Sequence, residues 1–118
     1  MRKIVFLGTP DYAALILEGL IKRAFDVALV ITNEDKPVGR KQIMTAPSVK
    51  ITAQKYALDL LQPRKLDDAY DRIEAAKPEF IIVAAYGQIV SKRILAIAPC
   101  LNLHASLLPK YRGASPIQ

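Results

Sequence analysis

Two polar side chains near the end of the sequence could carry out catalytic chemistry together. Asn102 and His104 alternate with Leu101 and Leu103, and because successive side chains of a β-strand point to opposite faces, the two polar groups would share one face. Histidine, with an ordinary pKa of about 6.5, suits proton transfer at neutral pH. An asparagine amide can donate a hydrogen bond to a developing oxyanion. The pair indicates acyl or formyl transfer, although spacing alone favours an ordinary hydrogen-bonded histidine.

The elements that would position this pair follow from a repeated pattern. Short apolar runs typical of buried strands alternate with segments of helical spacing, and the runs cover residues 4–7, 27–31, 58–61, 80–85 and 100–104. Alternation of this kind predicts an α/β fold with a doubly wound, Rossmann-like parallel sheet, in which ligands bind outside the carboxyl ends of the strands. Asn102 and His104 fall at such an end. After the first strand, Thr9 is expected to cap a helix that begins with Pro10.

A long polar segment, residues 32–44, follows the second strand without clear periodicity and is predicted to be a functional loop. It lies in a basic stretch formed by Lys36, Arg40, Lys41, Lys50 and Lys55. With a formal net charge of +6, the chain could bind a polyanion, but charge alone fits a solvated basic face better.

Composition limits the class of protein. The 118 residues, 52% hydrophobic and 24% charged, are typical of one soluble globular domain. The single Cys100 cannot form an intramolecular disulfide and, with the absence of an export signal, predicts a cytoplasmic location. One histidine and one cysteine make a structural metal site improbable, so no metal is expected.

The segment from Asn102 to Gly113, NLHASLLPKYRG, resembles the signature of the formyltetrahydrofolate-dependent formyltransferases. Three further segments resemble the methionyl-tRNA formyltransferase family in particular: FLGTP at 6–10, DKPVGR at 35–40 and AAYGQ at 84–88. The resemblance covers almost the whole chain. It implies that 10-formyltetrahydrofolate is the co-substrate and that initiator methionyl-tRNA is the partner.

The same resemblance implies roles for individual residues. His104 would be the general acid/base, and Asn102 would hold the formyl oxygen. The folate would bind to residues in two segments, Ala85, Tyr86, Gly87, Gln88 and Ile89 in the first and Ser106, Leu107, Leu108 and Pro109 in the second. Lys36, Arg40 and Lys41 would contact the acceptor stem of the tRNA.

Residues 1–118 would then be a partial N-terminal formyltransferase domain, incomplete at its C-terminal sheet edge. The family's catalytic aspartate and its C-terminal barrel would lie outside the sequence, so the isolated chain is expected to be inactive or nearly so. Its final strand would be an exposed edge through which copies could self-associate.

Several alternatives remain at this stage. The turn Gly8-Thr9-Pro10 lacks the glycine spacing of nicotinamide dehydrogenases, and it lacks the acidic residues of response regulators. Within the formyltransferases, the glycinamide ribonucleotide and sugar-nucleotide enzymes are the rivals. A non-catalytic remnant that binds folate or only self-associates is the alternative from another class.

Overall fold

The most buried strand lies at the centre of the sheet. The computed structural model describes residues 1–103 of the chain, and the side chains of residues 4–7 in its first strand have no exposed surface. The strands in chain order are β1 (Lys3–Gly8), β2 (Asp26–Ile31), β3 (Lys36–Val38), β4 (Ile43–Thr45), β5 (Leu60–Leu61), β6 (Phe80–Ala84) and β7 (Cys100–Leu103). The helices are α1 (Asp11–Lys22), α2 (Ser48–Lys55), α3 (Tyr70–Ala76) and α4 (Lys92–Leu95), and a 3₁₀ turn (Leu66–Ala69) precedes α3.

Five of the strands form one parallel sheet in the order β5-β2-β1-β6-β7. The chain builds outward from β1 on one side through β2 and β5, and then continues on the other side of β1 with β6 and β7. The predicted doubly wound α/β sheet is therefore confirmed. The point where the direction of building reverses lies between β1 and β6, and open α/β sheets bind ligands in the crevice at such a point.

Two apolar layers hold the helices against the sheet. On one face, Ala13 and Leu17 of α1 and Val49 and Ala53 of α2 are fully buried against β1, β2 and β6. On the other face, the 3₁₀ turn, α3 and α4 contribute a second buried cluster around β6. Because each central strand is covered on both faces, its sequence is a continuous apolar run rather than an alternation of apolar and polar residues.

The segment that was predicted to be a loop contains a β-hairpin. β3 and β4 pair antiparallel, with Lys36 opposite Thr45 and Val38 opposite Ile43, so the prediction of a loop without regular structure over residues 32–44 is wrong from residue 36 onward. Every side chain of the two strands is exposed. A hairpin exposed on both faces has no buried side to impose alternation on its sequence, which explains why periodicity did not reveal it.

Two smaller expectations also need correction. α1 begins at Asp11, so Pro10 precedes the helix as its cap residue, and Thr9 makes no capping hydrogen bond. In β7, Leu103 packs against the cluster around α1, whereas the Leu101 side chain is 47% exposed and does not pack as its position in the strand suggested. Among residues 1–103, β7 is an edge strand of the sheet. Fewer apolar side chains therefore pack against it than against the central strands.

Candidate active site at the carboxyl edge of the sheet

The ends of β1 and β6 meet closely at the point where the strand order reverses. Gly8 pairs with Ala84 in the parallel register. A Cβ atom built on Gly8 would lie 2.8 Å from the Ala84 carbonyl oxygen and 2.7 Å from the Ala13 Cβ. Only glycine permits this approach, and Thr9, the residue after β1, donates a hydrogen bond at 3.3 Å to the backbone oxygen of Tyr86, two residues after β6.

The segment after β6, residues 85–89, follows an unusual backbone path, and we call it the 85–89 loop. Ala85 and Gly87 both have positive φ angles, 56° and 96°. Ala85, Gly87 and Ile89 are exposed, the last at 93%, and Gln88 is half-buried. Of the five residues in this loop that the sequence predicted to bind folate, four therefore lie at the surface of the sheet edge. Their backbone groups and the Ile89 side chain could contact the ring of a bound ligand.

Tyr86 differs from its neighbours because its side chain belongs to the core. It is 2% exposed and packs in the cluster of α3 and α4, and this burial raises the pKa of its phenol to about 12. Its backbone carbonyl accepts hydrogen bonds from the Thr9 hydroxyl, at 3.3 Å, and from the Asn33 side-chain amide. Tyr86 thus anchors the loop, and its predicted contact with folate stays a prediction.

A polar network joins the ends of three neighbouring strands. Asn33, just beyond β2, donates from Nδ2 to Thr9 Oγ1 at 3.0 Å and accepts at Oδ1 from Gln88 Nε2, also at 3.0 Å. Gln88 Oε1 in turn accepts from the backbone N–H of Leu66 at 2.9 Å. Sequence reasoning did not identify Asn33 or Thr9 as site residues. Their position in the sequence was a usable signal, because Thr9 immediately follows β1 and Asn33 closely follows β2, each at the carboxyl end of a buried strand.

Thr32, next to Asn33, carries an unusual buried hydroxyl. The residue has no exposed surface, and Thr32 Oγ1 has no hydrogen-bond partner among the residues that the structure describes. A buried hydroxyl without a partner costs about 1–3 kcal/mol. The polar edge of the sheet therefore includes one group that weakens the fold.

Asn102 lies on the strand adjacent to the 85–89 loop. It pairs with Val83 in β6 and is exposed, and Leu103 pairs with Ala84, the residue at which β6 ends. Strands in a sheet are about 4.8 Å apart, so Asn102 lies about one strand spacing from β6, opposite a residue two positions before the 85–89 loop.

The partner predicted for Asn102 lies outside the described part of the chain. His104 and the second predicted folate-binding segment, Ser106, Leu107, Leu108 and Pro109, all follow residue 103. Their roles stay predictions that rest on the resemblance.

The three predicted RNA contacts lie together on the hairpin. Lys36 begins β3, while Arg40 and Lys41 form the turn between β3 and β4, and all three are exposed. None of them takes part in an ion pair within residues 1–103. The hairpin also exposes Val38, Ile43 and Met44, each more than half accessible.

The other two lysines of the basic stretch are neutralised by carboxylates. Lys50 Nζ lies 3.1 Å from Asp35 Oδ2 and Lys55 Nζ lies 3.1 Å from Glu18 Oε2. A hydrogen bond from Gln62, followed by the contact with Lys50, lowers the pKa of Asp35. The uncompensated positive charge of this stretch is thereby concentrated on the hairpin.

Two features do not occur within residues 1–103. Three or more His, Cys, Asp or Glu side chains do not come together there in an arrangement that could hold a metal ion. No helix in that range is long and apolar enough to cross a membrane.

The sheet order, which reverses between β1 and β6, defines a protein with a doubly wound α/β fold. Two solved structures share it: glycinamide ribonucleotide transformylase 1 from Symbiobacterium toebii, with a TM-score of 0.63 and 23% identity over 96% of this chain and 56% of that one, and phosphoribosylglycinamide formyltransferase from Bacillus halodurans, with a TM-score of 0.66 and 16% identity over 95% and 60%. The family model described as formyl transferase matches residues 2–118. The chain belongs to the formyl transferase family.

Curated relatives are much more similar in sequence than those structures. A methionyl-tRNA formyltransferase from Campylobacter fetus is 58% identical over the whole of this chain, and one from Nitratiruptor is 56% identical over 98% of it. The chain spans 40% and 39% of the lengths of these two relatives. The predicted resemblance to the methionyl-tRNA formyltransferases is confirmed.

Proposed function

We propose that this chain is the formyl-donor-binding part of an enzyme that transfers a formyl group from 10-formyltetrahydrofolate to the amino group of methionyl initiator tRNA. The observation that carries the proposal is identity above 55% to curated methionyl-tRNA formyltransferases over essentially the whole chain. Glycinamide ribonucleotide enzymes share the fold at 23% identity or less, well below the identity to the curated relatives. A role in translation initiation implies a cytoplasmic protein.

In the proposed reaction, the amino nitrogen of the methionyl group attacks the formyl carbon. A new C–N bond forms, the bond from the formyl carbon to the folate nitrogen breaks, and the proton lost by the attacking amine goes to the departing nitrogen. The exposed amide of Asn102 would donate a hydrogen bond to the formyl oxygen as it becomes negative. A donor aimed at the position where charge develops stabilises the transition state more than the ground state. His104 is assigned the proton transfer by resemblance alone.

The folate co-substrate would bind along the 85–89 loop. The exposed backbone of Ala85 and Gly87 offers hydrogen-bonding groups beside the almost fully accessible Ile89 side chain. This mixture of backbone polar groups and an apolar side chain suits a flat heteroaromatic ring. The loop follows β6, and Asn102 lies on the neighbouring strand β7. The formyl group of a donor bound along the loop would therefore lie near the Asn102 amide.

The hairpin would contact the tRNA. Lys36, Arg40 and Lys41 present three positive charges beside exposed apolar side chains. Cationic groups bind phosphates, and arginine also stacks on bases. The exposed hairpin is therefore the segment of the described chain best suited to RNA.

The proposal is tested by offering the complete protein two acceptors, methionyl initiator tRNA and glycinamide ribonucleotide, together with 10-formyltetrahydrofolate. We expect formylmethionine to be released after hydrolysis of the tRNA product, and we expect no formylation of the glycinamide compound. Uncharged initiator tRNA is the matched control, because it lacks the amino group that is attacked.

Calorimetric titration with a folate analogue tests donor binding separately. Transfer to glycinamide ribonucleotide but not to the charged tRNA would assign the protein to the rival class. If the protein neither binds folate nor transfers the formyl group, the proposed formyltransferase activity is wrong.

A further inference from the structure

Asn33 occupies the centre of the polar network at the carboxyl edge of the sheet. Its Nδ2 donates to Thr9 Oγ1, at 3.0 Å, and to the Tyr86 carbonyl oxygen, while its Oδ1 accepts from Gln88 Nε2 at 3.0 Å. One half-buried side chain thus connects the ends of β1, β2 and β6. All of its polar atoms are used within the protein.

The 85–89 loop needs such contacts to hold its shape. Ala85 has a φ of 56° and Gly87 a φ of 96°, and a left-handed conformation at a residue with a side chain costs about 1–2 kcal/mol. A Cβ atom placed on Gly87 would lie 3.4 Å from Asn33 Nδ2, so Asn33 also packs against the bend of the loop. Without these contacts, the strained backbone would relax toward other conformations.

We propose that Asn33 is a positioning residue that holds the 85–89 loop in the conformation that binds the formyl donor. The inference rests on the proposed function of that loop and adds a residue outside it. Asn33 itself need not touch the donor, since its side-chain groups already bind Thr9, Tyr86 and Gln88. It acts by presenting the exposed backbone of the loop in one arrangement, which lowers the cost of ordering the site when a ligand binds.

A neighbouring contact supplies a matched control. Gln62 Nε2 donates to the backbone oxygen of Asn33 at 3.1 Å and to Asp35 Oδ1 at 2.7 Å. This contact involves the main chain of Asn33, not its side chain. The second partner of Gln62, Asp35, directly precedes the hairpin and is not part of the 85–89 loop. Replacing Gln62 should therefore disturb the same residue without releasing the loop.

The test compares Asn33→Ala with Gln62→Met in the complete protein. We expect Asn33→Ala to raise the KM for 10-formyltetrahydrofolate about tenfold, to leave kcat within about twofold, and to leave the KM for tRNA unchanged. A tenfold change corresponds to about 1.4 kcal/mol, within the range for loss of an intramolecular hydrogen bond. Gln62→Met should leave the donor KM unchanged.

Amide hydrogen exchange gives a second readout that needs no ligand. The Leu66 N–H is bonded to Gln88 Oε1 at 2.9 Å, so its exchange reports whether Gln88 stays in place. We expect about tenfold faster exchange at Leu66 in Asn33→Ala, relative to Ile81, whose amide is bonded to the Pro99 carbonyl at 2.9 Å in the sheet. If Asn33→Ala does not fold, Thr9→Val serves instead, with an expected rise of about threefold in donor KM.

The outcomes separate the two proposals. Unchanged donor KM and unchanged Leu66 exchange in the Asn33 variant would overturn the positioning role. An equal loss of exchange protection at Leu66 and Ile81, with kcat and both KM values changed together, would show that Asn33 is a general structural residue. That result would also overturn the positioning role. A wild-type protein that binds no folate would defeat the proposed function, while the exchange measurement would still decide whether Asn33 holds the loop.

Discussion

Asn102 pairs with Val83 across the parallel contact of β7 with β6, two residues before the 85–89 loop begins. This pairing puts the exposed amide and the loop on the same edge of the sheet, on adjacent strands. The candidate site therefore does not depend on either segment alone.

Replacing Asn102 should reduce catalysis more than binding. In Asn102→Ala, we expect kcat for formyl transfer to fall about 100-fold, because one donor to a developing oxyanion is worth about 3 kcal/mol. The KM for the folate should change by less than about threefold. Leu101→Gln is the control, since that side chain is 47% exposed on the opposite face, and it should retain wild-type kcat. An Asn102→Ala enzyme with full kcat would contradict the assigned role.

The cations of the hairpin should determine the salt dependence of tRNA binding. Each substitution of Lys36, Arg40 or Lys41 by Gln should weaken binding and reduce the slope of log K against log salt by about 1, if that side chain contacts a phosphate. Filter-binding measurements between low and physiological salt give the slope. Arg72→Gln removes one exposed charge from α3 and should leave the slope unchanged. A hairpin variant that behaves like Arg72→Gln would argue that its charge is only solvated.

Two glycines should respond in opposite directions to alanine. Gly8→Ala forces a methyl group within 2.8 Å of the Ala84 carbonyl oxygen and should lower the free energy of unfolding by about 1–3 kcal/mol. Gly19 lies within α1, and a Cβ there meets nothing within 4 Å. Gly19→Ala should therefore raise the free energy of unfolding by about 1 kcal/mol through helix propensity. Urea denaturation of both variants checks the pair, and a stabilised Gly8→Ala would refute the close contact of β1 and β6.

Removing the buried hydroxyl of Thr32 should stabilise the protein. Thr32→Val keeps the shape of the side chain and removes an oxygen that has no partner among residues 1–103, which should raise the free energy of unfolding by about 1 kcal/mol. Thermal and urea denaturation measure the change. Destabilisation instead would mean that the hydroxyl has a partner in the native protein, such as a bound water.

Burial of Tyr86 should make the protein less stable in strong alkali. Its folded pKa is about 12, above the value of about 10 in an unfolded chain. The stabilisation is therefore present in full below about pH 10 and is lost as the pH rises toward 12, because only the unfolded chain releases the proton in that interval.

The variant Tyr86→Phe isolates this effect. Its free energy of unfolding should decline less between pH 9 and pH 11 than that of the wild type. Tyr12 and Tyr56 also have raised pKa values, so some decline should remain. Equal declines in both proteins would show that the Tyr86 phenol ionises as easily in the folded state as in the unfolded state.

Local sequence determined most of the elements. Continuous apolar runs such as residues 4–7 and 80–85 were identifiable as buried strands because a strand covered on both faces excludes polar side chains. The polar pair Asn102 and His104, near the end of the last predicted strand, then indicated the carboxyl edge of the sheet as the candidate site. The resemblance of the 84–88 and 102–113 segments then indicated the formyl transferase family, which the family comparison confirmed.

Only the tertiary structure decided which distant groups meet. The contact of Asn33 with the Tyr86 carbonyl joins residues 53 positions apart, and it depends on β1 lying between β2 and β6, an order that local spacing does not encode. The hairpin at 36–45 and the burial of Tyr86 were likewise hidden, because the first has no buried face and the second is a polar aromatic in a turn. Spacing along the chain specifies which side chains share a face, whereas strand order and packing specify what that face touches.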